Sequence, residues 1–188
     1  MKKIILAVFL LAFSFVSSFA QNDILSGIEA AGERSKTIKE PFTETAINSA
    51  GKASAPLKGE LTYKAPDGFS MIYSEPAGDF FMISGKMMKE SRAGVETIYD
   101  LEKNVMMRSL SHILLYSFSG RIKTLADELG ADCEATAVKG GYHVILTAKV
   151  KSTRGLASVD LFYDSAFNIT KMIMTEWSKR STVYELAK

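Results

Sequence analysis

Only one cysteine, Cys133, occurs in the 188 residues. No disulfide can close within the chain, so the fold must be held by its core alone. Cys133 alternates with Ala135 and Ala137, the spacing of one strand face, which suits a small buried residue; a reactive thiol is the other reading. Histidine is nearly as scarce, and His112 and His143, the two present, are read as surface or half-buried residues. The sequence has no Gly-x-Ser-x-Gly elbow, no His-Glu-x-x-His, no paired-cysteine metal spacing and no glycine-rich phosphate loop. It therefore predicts no enzyme, no metal site and no cofactor, although a triad built from distant residues would leave no local signature. Internal repeats and low-complexity tracts are also missing, and no boundary suggests a second folded domain.

Charge of one sign is lacking too, once the start of the chain is set aside. Lys2-Lys3, an almost wholly apolar run from Ile4 to Val16, and Ser17-Ser18-Phe19-Ala20 make a secretory signal, with small residues at −3 and −1. A membrane anchor is the alternative, but the run is too short to span comfortably. Cleavage after Ala20 predicts a mature domain over 21–188 that works in the periplasm. No cysteine follows the apolar run, so no N-terminal lipid is expected. Taking Lys2 and Lys3 from the 23 basic residues leaves them equal to the 21 acidic ones. Bulk charge thus offers nothing to nucleic acid or to an anionic membrane.

What is present is best seen from Leu57 to Gly85. Read with a period of two, Gly59, Leu61 and Tyr63 share one face, while Glu60, Thr62 and Lys64 take the other. Pro66-Asp67-Gly68 is turn chemistry. The next strand keeps the parity, with Phe69, Met71 and Tyr73 together and Ser70 and Ser74 opposite. Pro76 to Gly78 turns the chain again, and Phe80 to Ile83 is apolar on both sides. The pattern predicts an antiparallel meander with one greasy face.

Gly59, Leu61, Pro66, Phe69, Pro76 and Ser84-Gly85-Lys86 together resemble the hallmark segment of the periplasmic lipoprotein carriers, the LolA-like family. Two positions depart from that pattern. Ala65 stands where the family usually has arginine, and Met71 where it often has tryptophan. The resemblance implies an incomplete barrel with a helical lid, acylated lipoproteins or lipid as cargo, an inner-membrane release complex, an outer-membrane receptor, and a monomeric carrier. It also implies that Met71 faces a cavity. In the family the closed lid is held by the arginine, which Ala65 cannot replace; Lys64 points to the opposite face of a regular strand.

The rest of the chain fits such an architecture on its own pattern. Asn22 or Asp23 is placed to cap a helix carrying Ile24, Leu25, Ile28 and Ala31, with Gly32 near its end. Strand-like patterning runs from Thr37 to Asn48, and Ser49 to Pro56 is a small-residue loop. Lys86 to Glu90 and Val95 to Leu101 form a hairpin through Arg92-Ala93-Gly94. The period then changes: Leu110, Ile113, Leu114, Ser117 and Phe118 lay an apolar stripe on a helix stopped by Gly120. Ile122, Leu125, Ala126 and Leu129 repeat it up to Gly130. Five strands follow, near 132–138, 142–150, 156–163, 168–177 and 181–186, with Trp177 a core or rim aromatic. The fold class predicted is mainly β (α+β): a single curved antiparallel sheet forming an incomplete barrel, its concave face covered by helices.

Methionine is the unusual presence. Beyond the initiator there are Met71, Met82, Met87, Met88, Met106, Met107, Met172 and Met174. Methionine fills irregular apolar volume and suits surfaces that accept varied partners. On the sequence alone an ordinary core is the preferred reading of these residues, and the family resemblance shifts it to a cavity. The candidate acyl-chain site comprises Leu61, Tyr63, Phe69, Met71, Tyr73 and Met82 from the meander, Leu110, Ile113, Leu114 and Phe118 from the helix, and Met172 and Met174 from a late strand. Two functions compete for it: a carrier that delivers lipoproteins to the outer membrane, and a lipid- or peptide-sensing regulator of the envelope on the same fold. An enzyme acting on lipid would need a polar cluster in the cavity. For a carrier, burying an acyl chain of about fifteen methylenes yields roughly 12 kcal/mol, enough to trap the cargo. Displacing a lid already packed in the cavity would offset it.

Overall fold

The computed structural model describes residues 21–151 and 155–187. Helix α1 (residues 21–34) leads into β1 (Thr37–Ile47). A meander follows: β2 (Leu57–Lys64), β3 (Gly68–Glu75), β4 (Ala77–Ser84), β5 (Met87–Arg92) and β6 (Val95–Asp100). Helices α2 (Val105–Ser119) and α3 (Ile122–Leu129) interrupt the strands. A second meander closes the chain: β7 (Ala131–Val138), β8 (Gly141–Ala148), β9 (Leu156–Asp164), β10 (Ile169–Glu176) and β11 (Ser181–Leu186).

All eleven strands join one antiparallel sheet in the order β6-β5-β4-β3-β2-β1-β11-β10-β9-β8-β7. Its edges, β6 and β7, do not pair, so the barrel stays incomplete. Those edge strands flank the two helices in sequence. The chain must therefore cross from one edge of the sheet to the other, and the crossing segment covers the concave side. Pairing of β1 with β11 joins the two meanders, with Phe42 opposite Leu186 and Ile47 opposite Ser181.

Alternation sets which residues reach the interior. Leu61 lies opposite Met71 and Tyr63 opposite Phe69; all four are buried on the concave side. Both α2 and α3 end where expected, at Gly120 and Gly130, each left-handed with φ of 73° and 58°. Asn104 caps α2 by accepting from the Met107 amide at 3.1 Å. At α1 Gly32 stands near the end as expected, and one detail, the cap, differs from the sequence reading. Asn22 and Asp23 lie inside the helix, which continues past Gly32 to residue 34. Gly32 serves a close approach here, because a Cβ at that position would fall on the Ser119 carbonyl of α2.

Cys133 is half-buried rather than fully enclosed, and Ala137, which shares its parity, is exposed. Both stand on β7, an edge strand that the core covers at one end only. Burial pushes the Cys133 thiol up, with Lys123 nearby acting against that. The leader read at residues 1–20 lies outside the described residues. Among the described residues no helix is long and apolar enough to cross a membrane.

Candidate functional site

The concave wall is built by β2, β3 and β4, whose inward parity carries Leu61, Tyr63, Phe69, Met71, Phe81 and Ile83, all buried. Helix α2 lies over it. Its stripe places Ile113, Leu114 and Phe118 in the interior and leaves Leu110 half-buried. Phe118 packs between two wall aromatics, with ring centroids 6.0 Å from Tyr63 and 5.5 Å from Phe69. From the far side of the curve, Met172 and Met174 of β10 reach the same interior. Ten of the twelve sequence candidates thus meet in one layer between sheet and helix, and Tyr73 stands at its polar margin.

Met82 lies outside that layer. It pairs with Ser70 on β3 and points to the convex side, where it is 38% exposed. The reason is parity: Phe81 and Ile83 take the inward positions of β4, so the methionine between them must face out. Phe80 to Ile83 is apolar on both faces, and only one of those faces meets α2.

Helix and wall leave between them a cleft whose cavity is only about 10 Å³, lined by Leu61, Phe69, Met71, Leu114, Phe118 and Met172, among others. Ligand sites for drug-sized molecules run to about 300–1,000 Å³. In this state the interior is filled by Phe118 and its neighbours, and a whole acyl chain enters only if α2 moves.

A buried hydrogen bond ties α2 to the sheet: Tyr163 Oη of β9 donates to the Ser117 carbonyl at 3.1 Å. That carbonyl belongs to the last turn of α2, where four C=O groups lack a partner within the helix. Burial pushes the Tyr163 hydroxyl far above the usual tyrosine range. The buried serines of α2 are satisfied within the helix, Ser117 Oγ donating to the Ile113 carbonyl and Ser111 Oγ to that of Arg108. Ala65 is half-buried against the core. Tyr163 ties α2 to the second meander, and the Tyr63 hydroxyl of the first meander also meets Ser119 at the end of the helix. Outside, His112 pairs with Glu128, stacks on Tyr116 at 5.0 Å, and so joins α2 to α3. His143 bonds Asp160 at 2.9 Å and stacks on Phe162 on the convex face.

Three residues around Tyr73 escaped the sequence reading as parts of a site: Glu44, Asp79 and Arg92. Beyond Met71, the concave face turns polar: Tyr73 Oη donates to Glu44, and Arg92 Nη2 donates to Tyr73 Oη at 2.9 Å. The same guanidinium lies 3.7 Å from Glu44 and 3.9 Å from Asp79, and its carbon sits 4.4 Å over the Tyr73 ring. Burial, and then the Glu44 charge, push the Tyr73 hydroxyl above the usual range. The available signal was parity. Glu44 shares the face of Phe42, Asp79 that of Phe81, and a charge at an inward position calls for a partner. Among the described residues no group of three or more His, Cys, Asp or Glu is placed to hold a metal.

No protein-family model matches the sequence. None of the curated proteins compared with it matches either. Solved structures similar to the chain include a LolA superfamily protein from Nitrosomonas europaea, 9% identical over 89% of this chain and 91% of that one, with a TM-score of 0.43. A putative outer membrane lipoprotein-sorting protein domain from Vibrio parahaemolyticus is 11% identical over 90% and 91%, with a TM-score of 0.45. The lipoprotein LppX of Mycobacterium tuberculosis is 10% identical over 89% and 94%, with a TM-score of 0.40. At such identities and scores the likeness says nothing of cargo.

Proposed function

We propose that this protein is an exported carrier that shields the acyl chains of lipoproteins beneath α2 and delivers them to the outer membrane. The observation that supports it is the covering of the concave wall. Leu61, Tyr63, Phe69 and Met71 are shielded by a crossing helix, not by a second sheet or by barrel closure. A helix on one apolar stripe can be displaced without breaking a strand ladder, and an acyl chain can replace Phe118 and Leu114 against the same wall. The closed packing supplies the offset a carrier needs: cargo that gains burial must first displace side chains already buried there. Methionines at two points of that wall, Met71 and Met172, accept chains of varied shape. The carrier makes and breaks no bond.

The test is mass spectrometry of organic extracts of the protein purified natively from the periplasm. Lipoprotein or other acylated lipid in the extract, absent after the same purification of a Met71→Glu variant, is the expected result. Extracts free of any acyl compound would count against the proposal.

A further inference from the structure

Tyr184 links the polar cluster beyond Met71 to the apolar cleft, because it interacts with Glu44, Tyr73 and Arg92 of the one and lines the other. In the strand ladder it stands opposite Glu44 on one side and Met172 on the other. Tyr184 is half-buried, no hydrogen bond is formed by its hydroxyl among the described residues, and the charges of Glu44 and Arg92 both act on it. Arg92 is only partly engaged. Of its five N–H donors one bonds Tyr73, and both carboxylates lie beyond hydrogen-bond distance from it. Glu44 and Asp79 are nevertheless largely covered, with side chains 12% and 11% exposed.

Beside the cleft there are thus two carboxylates, one loosely held guanidinium and the Tyr184 hydroxyl, while Lys171, which also lines the cleft, is held by Glu185 at 2.9 Å. With both acids ionised the cluster carries one net negative charge, so it favours a head that brings a positive charge and N–H donors. We infer that Glu44, Asp79, Arg92 and Tyr184 form a head-group site for an amphiphile that carries a primary ammonium beside its acyl chains. The ammonium sits between Glu44 and the Tyr184 hydroxyl, and Arg92 takes an oxygen of the same head, a phosphate's or a peptide carbonyl's. An ethanolamine phospholipid and an acylated peptide with a free α-amino group share this chemistry. The inference rests on the carrier reading, since the cleft must open to hold the chains.

Short-chain phosphatidylethanolamine and phosphatidylglycerol of equal acyl length are the probes, because both have the phosphate and only one has the ammonium. Isothermal titration of the folded protein should show the ethanolamine lipid bound about tenfold or more tightly, the scale of one charge-assisted hydrogen bond. Glu44→Gln should bring the two affinities together while leaving the glycerol lipid's unchanged. If that variant does not fold, Tyr184→Phe, which keeps the ring, should narrow the ratio. A diacylated peptide with a free or an acetylated α-amino group separates the two sources, the free amine binding more tightly if lipoprotein is the source. Equal affinity for both phospholipids together with indifference to peptide acetylation, or a preference unaltered in Glu44→Gln, overturns the head-group site and leaves the carrier reading standing. Absence of binding by every probe overturns both.

Discussion

Tyr163 and Ser117, 46 residues apart, share a buried hydrogen bond that joins the sheet to the last turn of the covering helix. Removing the hydroxyl leaves the carbonyl without a partner, which costs about 1–3 kcal/mol. Tyr163→Phe should therefore lower the urea midpoint and, because the lost contact belongs to the closed state, speed the uptake of a hydrophobic dye. A variant with a lower midpoint and unchanged uptake would show that the bond holds the fold without restraining the helix.

The two ends of α2 should differ in mobility. At its C-terminal end the helix meets Tyr163, and Gly32 of α1 packs on the Ser119 carbonyl. At its N-terminal end Val105 and Met106 are 64% and 62% exposed. Amide hydrogen exchange should show the first turns opening well below the global unfolding free energy, with the 113–119 segment better protected. Uniform protection along α2 would argue for a rigid cover.

Much of this was legible in the sequence, because strand parity and helix period are local. The parity of Leu61, Tyr63, Phe69 and Met71 identified the wall, and the stripe from Leu110 to Phe118 identified its cover. Met82 was misplaced because a strand apolar on both faces does not reveal which face is covered; its neighbours Phe81 and Ile83 decide it. Tyr163–Ser117 and the Glu44–Tyr73–Arg92 cluster went unseen for a different reason. Each joins segments brought together only by the order of strands in the sheet, on which local periodicity is silent.

That misplacement yields a matched pair of substitutions. Met82→Glu puts a carboxylate on the convex face, where water reaches it, and should change stability by no more than about 0.5 kcal/mol. Met71→Glu puts it on the wall of the cleft. If α2 opens, the empty protein lets some water reach that charge, whereas bound lipid removes the water, so binding should suffer more than folding. Urea midpoints and acyl-probe affinities of both variants check this. Loss of the fold in Met71→Glu, without dye uptake by the unmutated protein, would make the wall a solid core.

Alkaline pH should destabilise the protein. Tyr73, Tyr163 and Tyr184 are all raised in the folded state, chiefly by burial. Unfolded tyrosine ionises near pH ~10. Above that pH the folded state holds more protons than the unfolded one, so stability is complete below about pH 10 and falls as pH rises further. Tyrosinate absorbance and the unfolding signal, followed together, should show these three titrating only as the protein unfolds. Their ionisation in a fully folded protein near pH 10 would contradict their burial.

The central claim is that α2 yields its place on the wall to an acyl chain. Titrating the protein with one peptide in two forms, acylated and unacylated, while following Trp177 fluorescence and the enthalpy of binding, tests it most directly. The claim requires saturable one-to-one binding of the acylated form, with a negative heat-capacity change, and no binding of the unacylated one. Equal binding of both forms, or of neither, would contradict it.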